Sequence, residues 1–129
     1  MVPETARWRG LDLFNAGEFY ECHEVLEDVW RASRGEERFF LQALIHYAVG
    51  FYHHRQGNPL GARLQLEKGI RKLAGYLPQF QEIDTGRLYR EGQDALRKIL
   101  AGEEIRSFPR IIKLSSLSQP ARAPASLSQ

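Results

Sequence analysis

The sequence predicts an all-α protein: a single-domain antiparallel bundle of about five helices around a central apolar helix. Three observations predict it. Apolar residues recur at i, i+3, i+4, i+7 spacing in segment after segment. Gly, Asn and Pro punctuate those segments at helix-end positions. No stretch alternates as a strand would, except for a trace over Phe108–Leu114, where Pro109 argues against a central strand. The chain has 129 residues, enough for one domain and one core. The bundle is expected over residues 1–114, and a flexible tail rich in Ser, Pro and Ala over 115–129.

The first helix is expected to begin near Pro3, carry Trp8, Leu11 and Phe14 inward, and stop at Gly17. The second runs from Glu18 to about Ala32, with Phe19, Cys22, Leu26, Val29 and Trp30 as its apolar stripe. Ser33-Arg34-Gly35 makes a turn. The third runs from Glu36 to Gln56 and is apolar almost all round, which makes it the central element, wrapped by the others. At Gly57-Asn58-Pro59, Gly ends one helix, Asn caps the next, and Pro takes its first position. The fourth helix, Pro59 to Leu77, places Ala62, Leu66, Ile70, Leu73 and Leu77 on one face and Arg63, Lys68, Arg71 and Lys72 opposite, until Pro78 stops it. Asp84 caps a fifth helix carrying Leu88, Ala95, Leu96, Ile99 and Leu100 and ending at Gly102. The short connections imply antiparallel neighbours.

Hydrophobic content of 43% and charged content of 26% are ordinary for a soluble globular protein. A formal charge of +2, from 18 basic and 16 acidic side chains, lacks the basic excess of nucleic-acid partners. Cys22 is the only cysteine, so no disulfide forms within the chain, which fits a reducing cytoplasm. The N-terminal residues lack the basic and apolar regions of a signal peptide. The longest stretch without Asp, Glu, Lys or Arg, Phe39 to His54, is shorter than the roughly 20 apolar residues a bilayer needs. No membrane partner is expected, and the expected location is cytoplasmic.

Polar residues stand where two of these helices should be apolar. On the second helix, Tyr20, His23, Glu24, Glu27 and Arg31 share one flank of the apolar stripe. On the third, Gln42, His46 and His53 fall along one line, with Gly50 beside it to admit another backbone or a ligand. Buried polar groups are costly unless paired, so the two seams are expected to meet, as a structural network or as a site. An imidazole, a carboxylate and a second imidazole suit a divalent metal (zinc, iron or manganese), with His23, Glu27 and His53 as ligands and Glu24 as the candidate catalytic base. The stretch His23-Glu24-Val25-Leu26-Glu27 differs from the zinc-protease H-E-x-x-H pattern, because Glu27 replaces the second His. Nor is there the Glu three residues before a His that di-iron bundles use: those positions hold Tyr20, Ala43 and Gly50. His54 is expected to be solvated or capping, Cys22 an inert buried thiol, and Trp8 and Trp30 core aromatics.

The chain resembles domain-of-unknown-function family 309 in Leu13-Phe14-Asn15-Ala16-Gly17-Glu18-Phe19-Tyr20-Glu21-Cys22-His23-Glu24, in Glu27 and Trp30, and again in Leu41-Gln42-Ala43-Leu44-Ile45, Tyr52-His53, Gly57-Asn58 and Gly61-Ala62. The resemblance spans roughly residues 5 to 78. It implies a small all-α bundle and leaves activity open. The residues it carries over are Glu21, His23, Glu24, Glu27, Trp30, Gln42 and His53; His46 enters on helical geometry alone. Around the metal triad, Tyr20, Glu21, Trp30, Gln42 and His46 are thus the expected ligand-binding residues. The competing reading is a helical interaction module or homo-oligomer in which the cluster is purely structural. Ala48, Gly50, His53, Ala62 and Leu66 faintly echo a tetratricopeptide helix pair, though no second copy recurs at a fixed period. A nucleic-acid surface on Arg63, Lys68, Arg71 and Lys72 is the least favoured of the three.

Overall fold

Apolar periodicity becomes five helices in the computed structural model, which describes residues 4–114. They are α1 (Glu4–Asn15), α2 (Phe19–Ala32), α3 (Gly35–Arg55), α4 (Pro59–Leu73) and α5 (Thr85–Leu100), with one 3-10 turn at Ala74–Tyr76. Pro3 and the tail expected over 115–129 lie outside the described residues. The sequence punctuation acts as expected. Gly17 takes φ +79 just past α1, a conformation glycine adopts without a Cβ penalty. The Asn58 side chain accepts the Gly61 N–H at the start of α4, and Asp84 accepts the Arg87 N–H at the start of α5. One boundary differs: α4 ends at Leu73, not Leu77. Leu77 precedes Pro78 and is held extended at φ −92, ψ 153, so it leaves the helix and is 38% exposed.

Alternate sides of α3 build the core, with Phe40, Leu41, Leu44, Tyr47, Ala48 and Phe51 all fully buried. An aromatic chain crosses it: Phe14 to Phe19 at 5.3 Å, Phe19 to Phe51 at 5.5 Å, and Phe51 to Phe108 at 5.2 Å between ring centroids. Phe108 belongs to the segment after α5, which folds back over the bundle. Asn15 clamps that segment by donating to the Ile111 carbonyl at 2.8 Å and accepting the Ile111 N–H at 2.7 Å. The trace of strand expected over Phe108–Leu114 amounts to one isolated bridge, Ile83 to Lys113.

α4 runs antiparallel to α3 and packs closely against it because two glycines open the way. A Cβ on Gly50 would lie 3.3 Å from the Ala62 carbonyl oxygen, and one on Gly69 would lie 3.0 Å from that of Ala43. α2 flanks α3 on the other side, and α1 lies against α2, where Gly10 meets Leu26. The helix predicted to be wrapped all round therefore keeps one stripe uncovered. Gln42, His46, Val49 and His53 are only partly buried, between α2 and α4. Among the described residues, no helix is long and apolar enough to cross a membrane.

Candidate functional site

The residues of the two polar seams lie on or beside this open face, but the seams are not buried and do not meet; Glu21, carried over by the family resemblance alone, is exposed on α2 outside them. On α2, i, i+4 spacing brings His23 Nε2 to 3.3 Å from a Glu27 oxygen, with the two side chains 25% and 38% exposed. Glu27 also pairs with Arg31 at 3.3 Å, and Arg31 with Asp28 at 2.8 Å. Glu21 and Glu24 are exposed. The expectation of a buried cluster is thus corrected. The α2 stripe that faces the core is Phe19, Cys22, Leu26 and Val29, and His23 and Glu27 sit one step outside it, where water already solvates them.

The line on α3 finds its partners on α4 rather than α2. Lys72 Nζ donates to Gln42 Oε1 at 2.9 Å, His46 Nδ1 lies 2.8 Å from Gln65 Oε1, and Asn58 Nδ2 lies 3.3 Å from His53 Nδ1. As the residue number rises on α3 it falls on α4, so the three pairs are rungs between antiparallel helices. Partial burial lowers the His46 pKa from 6.5 as the largest effect; the Gln65 bond opposes it, and the nearby Lys72, Lys68 and Arg71 charges add to it.

Between the two seams runs a row of rings. His23 to Tyr20, Tyr20 to Tyr52 and Tyr52 to His53 are 5.9, 5.4 and 6.0 Å apart, and Tyr20 is 52% exposed. Two tyrosines therefore separate His23 and Glu27 from His53, and the three side chains named for a metal do not gather. Among the described residues, no group of three or more His, Cys, Asp or Glu is placed to hold a metal ion. At the end of the face, Arg38 stacks on Trp30 at 4.0 Å and donates to the Trp30 carbonyl at 3.4 Å, so Trp30 packs against the core on one side and carries Arg38 on the other.

Sequence reasoning passed over the polar groups that the fold does bury. Arg7, 5% exposed, donates to Gln81 Oε1 at 2.6 Å, and Thr85, fully buried, donates to the Tyr76 carbonyl at 2.6 Å. His54 is not merely solvated: its Nε2 accepts the Ile105 N–H at 3.2 Å. It lines a cleft of about 470 Å³ with Arg55, Pro59, Ile99, Glu103 and Phe108. The only hint in the sequence was three consecutive polar residues, His53-His54-Arg55, at the end of an apolar helix. No buried side-chain polar atom among the described residues lacks a hydrogen-bond partner.

A family model described as a domain of unknown function (DUF309) matches residues 8–64. The uncharacterized protein YpuF of Bacillus subtilis (strain 168) is 30% identical over 108 residues, 81% of this chain and 62% of that protein. An uncharacterized protein of Aquifex aeolicus (strain VF5) is 27% identical over 99 residues, 76% of this chain and 28% of that protein. The chain thus spans less than two thirds of the length of either curated relative. The crystal structure of a conserved hypothetical protein from Thermus thermophilus superimposes with a TM-score of 0.61 at 37% identity, covering 75% of this chain and 99% of that one.

Proposed function

We propose, from the premise that the chain belongs to the DUF309 family, that it is a helical recognition module whose α2–α3–α4 face binds another protein surface. The observation that carries this reading is the state of the face: Gln42, His46, His53, His23 and Glu27 are already paired within the chain, while the Tyr20 ring stands open to solvent. The three rungs to α4 and the His23–Glu27 pair fix side-chain rotamers, so the face is organised before a partner arrives. Tyr20 and Tyr52 offer large, stiff contact surfaces with a polar tip, the kind of residue enriched at interfaces. In this reading the cluster has a structural task and no catalytic one.

The test is site-specific photo-crosslinking. Benzoylphenylalanine placed at Tyr20 should give discrete protein adducts in extract of the source cells, whereas the same group at Gln93, exposed on α5, should give none. Equal adducts at both positions, or none at Tyr20, would refute the reading.

A further inference from the structure

We propose that the partner of this face is a second copy of the chain, docked about a two-fold axis running parallel to α3. This deepens the preceding reading and rests on it. The face is charged with opposite sign along its two edges. The α2 edge carries Glu24 and Glu27, with Asp28 beside them, against one cation, Arg31. The α4 edge carries Lys68, Arg71 and Lys72, all exposed, and these three cations act together on His46 at the middle of the face.

Two face-to-face copies can be related by an axis across the helices or along them. An axis across the helices sets α2 over its own counterpart, carboxylate against carboxylate, which repels. An axis along α3 sets the α2 of each copy over the α4 of the other, so both edges meet opposite charge at once. The isologous arrangement then satisfies the whole face with no second protein.

Dimensions agree. The 21 residues of α3 extend about 30 Å, and three helices packed about 9 Å apart make a face roughly 20 Å wide. Corrugated by side chains, that surface approaches the roughly 800 Å² per partner of a standard interface. Along its middle lie Tyr20, Val49 and Tyr52, and at one end Phe39, 61% exposed. A net charge of only +2 leaves little long-range repulsion between copies.

Sedimentation of the purified chain over a concentration series tests this, beside two charge-reversed variants, Glu24→Lys/Glu27→Lys and Lys68→Glu/Lys72→Glu. The wild type should dimerise in the micromolar range, each variant alone should associate about tenfold or more weakly, and an equimolar mixture should regain the dimer, because each then supplies the charge the other lacks. Circular dichroism checks that both variants fold, and Tyr20→Ala, a truncation of an exposed ring, should weaken the dimer with no charge change. A wild-type monomer at every concentration overturns the proposal, as does a dimer indifferent to all three variants. The two readings separate cleanly. A monomer whose Tyr20 adducts contain a different protein sinks self-association and leaves the recognition face standing; a monomer with no Tyr20 adduct sinks both.

Discussion

Gly69→Ala tests how the face is held together, because Gly69 is where α4 approaches α3 most closely along the line of the polar rungs. A methyl there would lie 2.8 Å from Tyr47 Cδ1, 3.0 Å from the Ala43 carbonyl oxygen and 3.1 Å from His46 Cβ. The last two are fixed to the α3 backbone and cannot swing aside, so α4 must retreat by several tenths of an ångström. Overpacking of this kind costs about 2–3 kcal/mol. Replacing a helical glycine with alanine returns about 1 kcal/mol of propensity. The expected net loss is therefore about 1–2 kcal/mol, or about 4–8 °C in Tm for a chain of this size. Gly75→Ala is the control: its Cβ meets nothing within 4 Å, so the same chemical change should be neutral or slightly stabilising. Gly50→Ala, with its nearest contacts at 3.3 Å, should fall between the two. Urea unfolding followed by circular dichroism gives all three values. If Gly69→Ala proves as stable as Gly75→Ala, the close approach of α3 and α4 is wrong, and so is the register of the three rungs built on it.

Three further outcomes follow from single side chains. Burial holds the folded-state His46 pKa below 6.5, so the unfolded chain takes up the proton first; its contribution is complete above pH 6.5 and is lost as pH falls through the lower folded value. Relative to His46→Gln, the wild type should therefore lose stability as pH drops below 6.5, and a wild-type stability that stays flat or rises against the variant as pH falls through that range would contradict the assignment. Burial also pushes the Cys22 thiol up to about 12, partly offset by a backbone hydrogen bond at Phe14. At pH 8 the folded protein should react with Ellman's reagent about a thousandfold more slowly than the urea-unfolded chain, and prompt labelling of folded protein would refute the burial. Asn15→Ala removes both hydrogen bonds to Ile111 and should release the segment around it at about 1–3 kcal/mol, read as faster hydrogen exchange at the Ile111 amide with α3 unchanged.

The helices are legible in the sequence because each is written twice, once in its apolar period and once in its end residues. Asn58 and Asp84 can be assigned as caps from the sequence alone, since a side chain that satisfies an orphan N–H is a local matter. Leu77 misleads because it continues the apolar face of α4, while the ring of Pro78 excludes it from helical backbone. The return of residues 105–113 across the bundle is invisible, because nothing in Ile105, Phe108 or Ile111 says that Asn15, nearly a hundred positions earlier, will hold them.

The polar residues show a different kind of limit. Helical spacing identifies which of them share a flank, and that part stands: His23 does meet Glu27, and Gln42, His46 and His53 do lie in line. What spacing cannot supply is the azimuth of one helix about another. The line on α3 turns toward α4 instead of α2, so an expected convergence becomes two separate edges with aromatic rings between them. The inference from polar to buried fails for the same reason. A helix that is apolar on most sides still has an outward stripe if its neighbours leave a gap, and polar residues in that stripe cost nothing to keep wet. The buried polar residues Arg7 and Thr85 give no clear signal because the hydrogen bond that satisfies each comes from outside its own helix, from Gln81 and from the Tyr76 carbonyl, although Arg7 also pairs with Glu4 within α1. The fold thus leaves carboxylates along the α2 edge and cations along the α4 edge of one half-open face, and the charge-reversal mixture decides whether those edges are matched to each other across two copies.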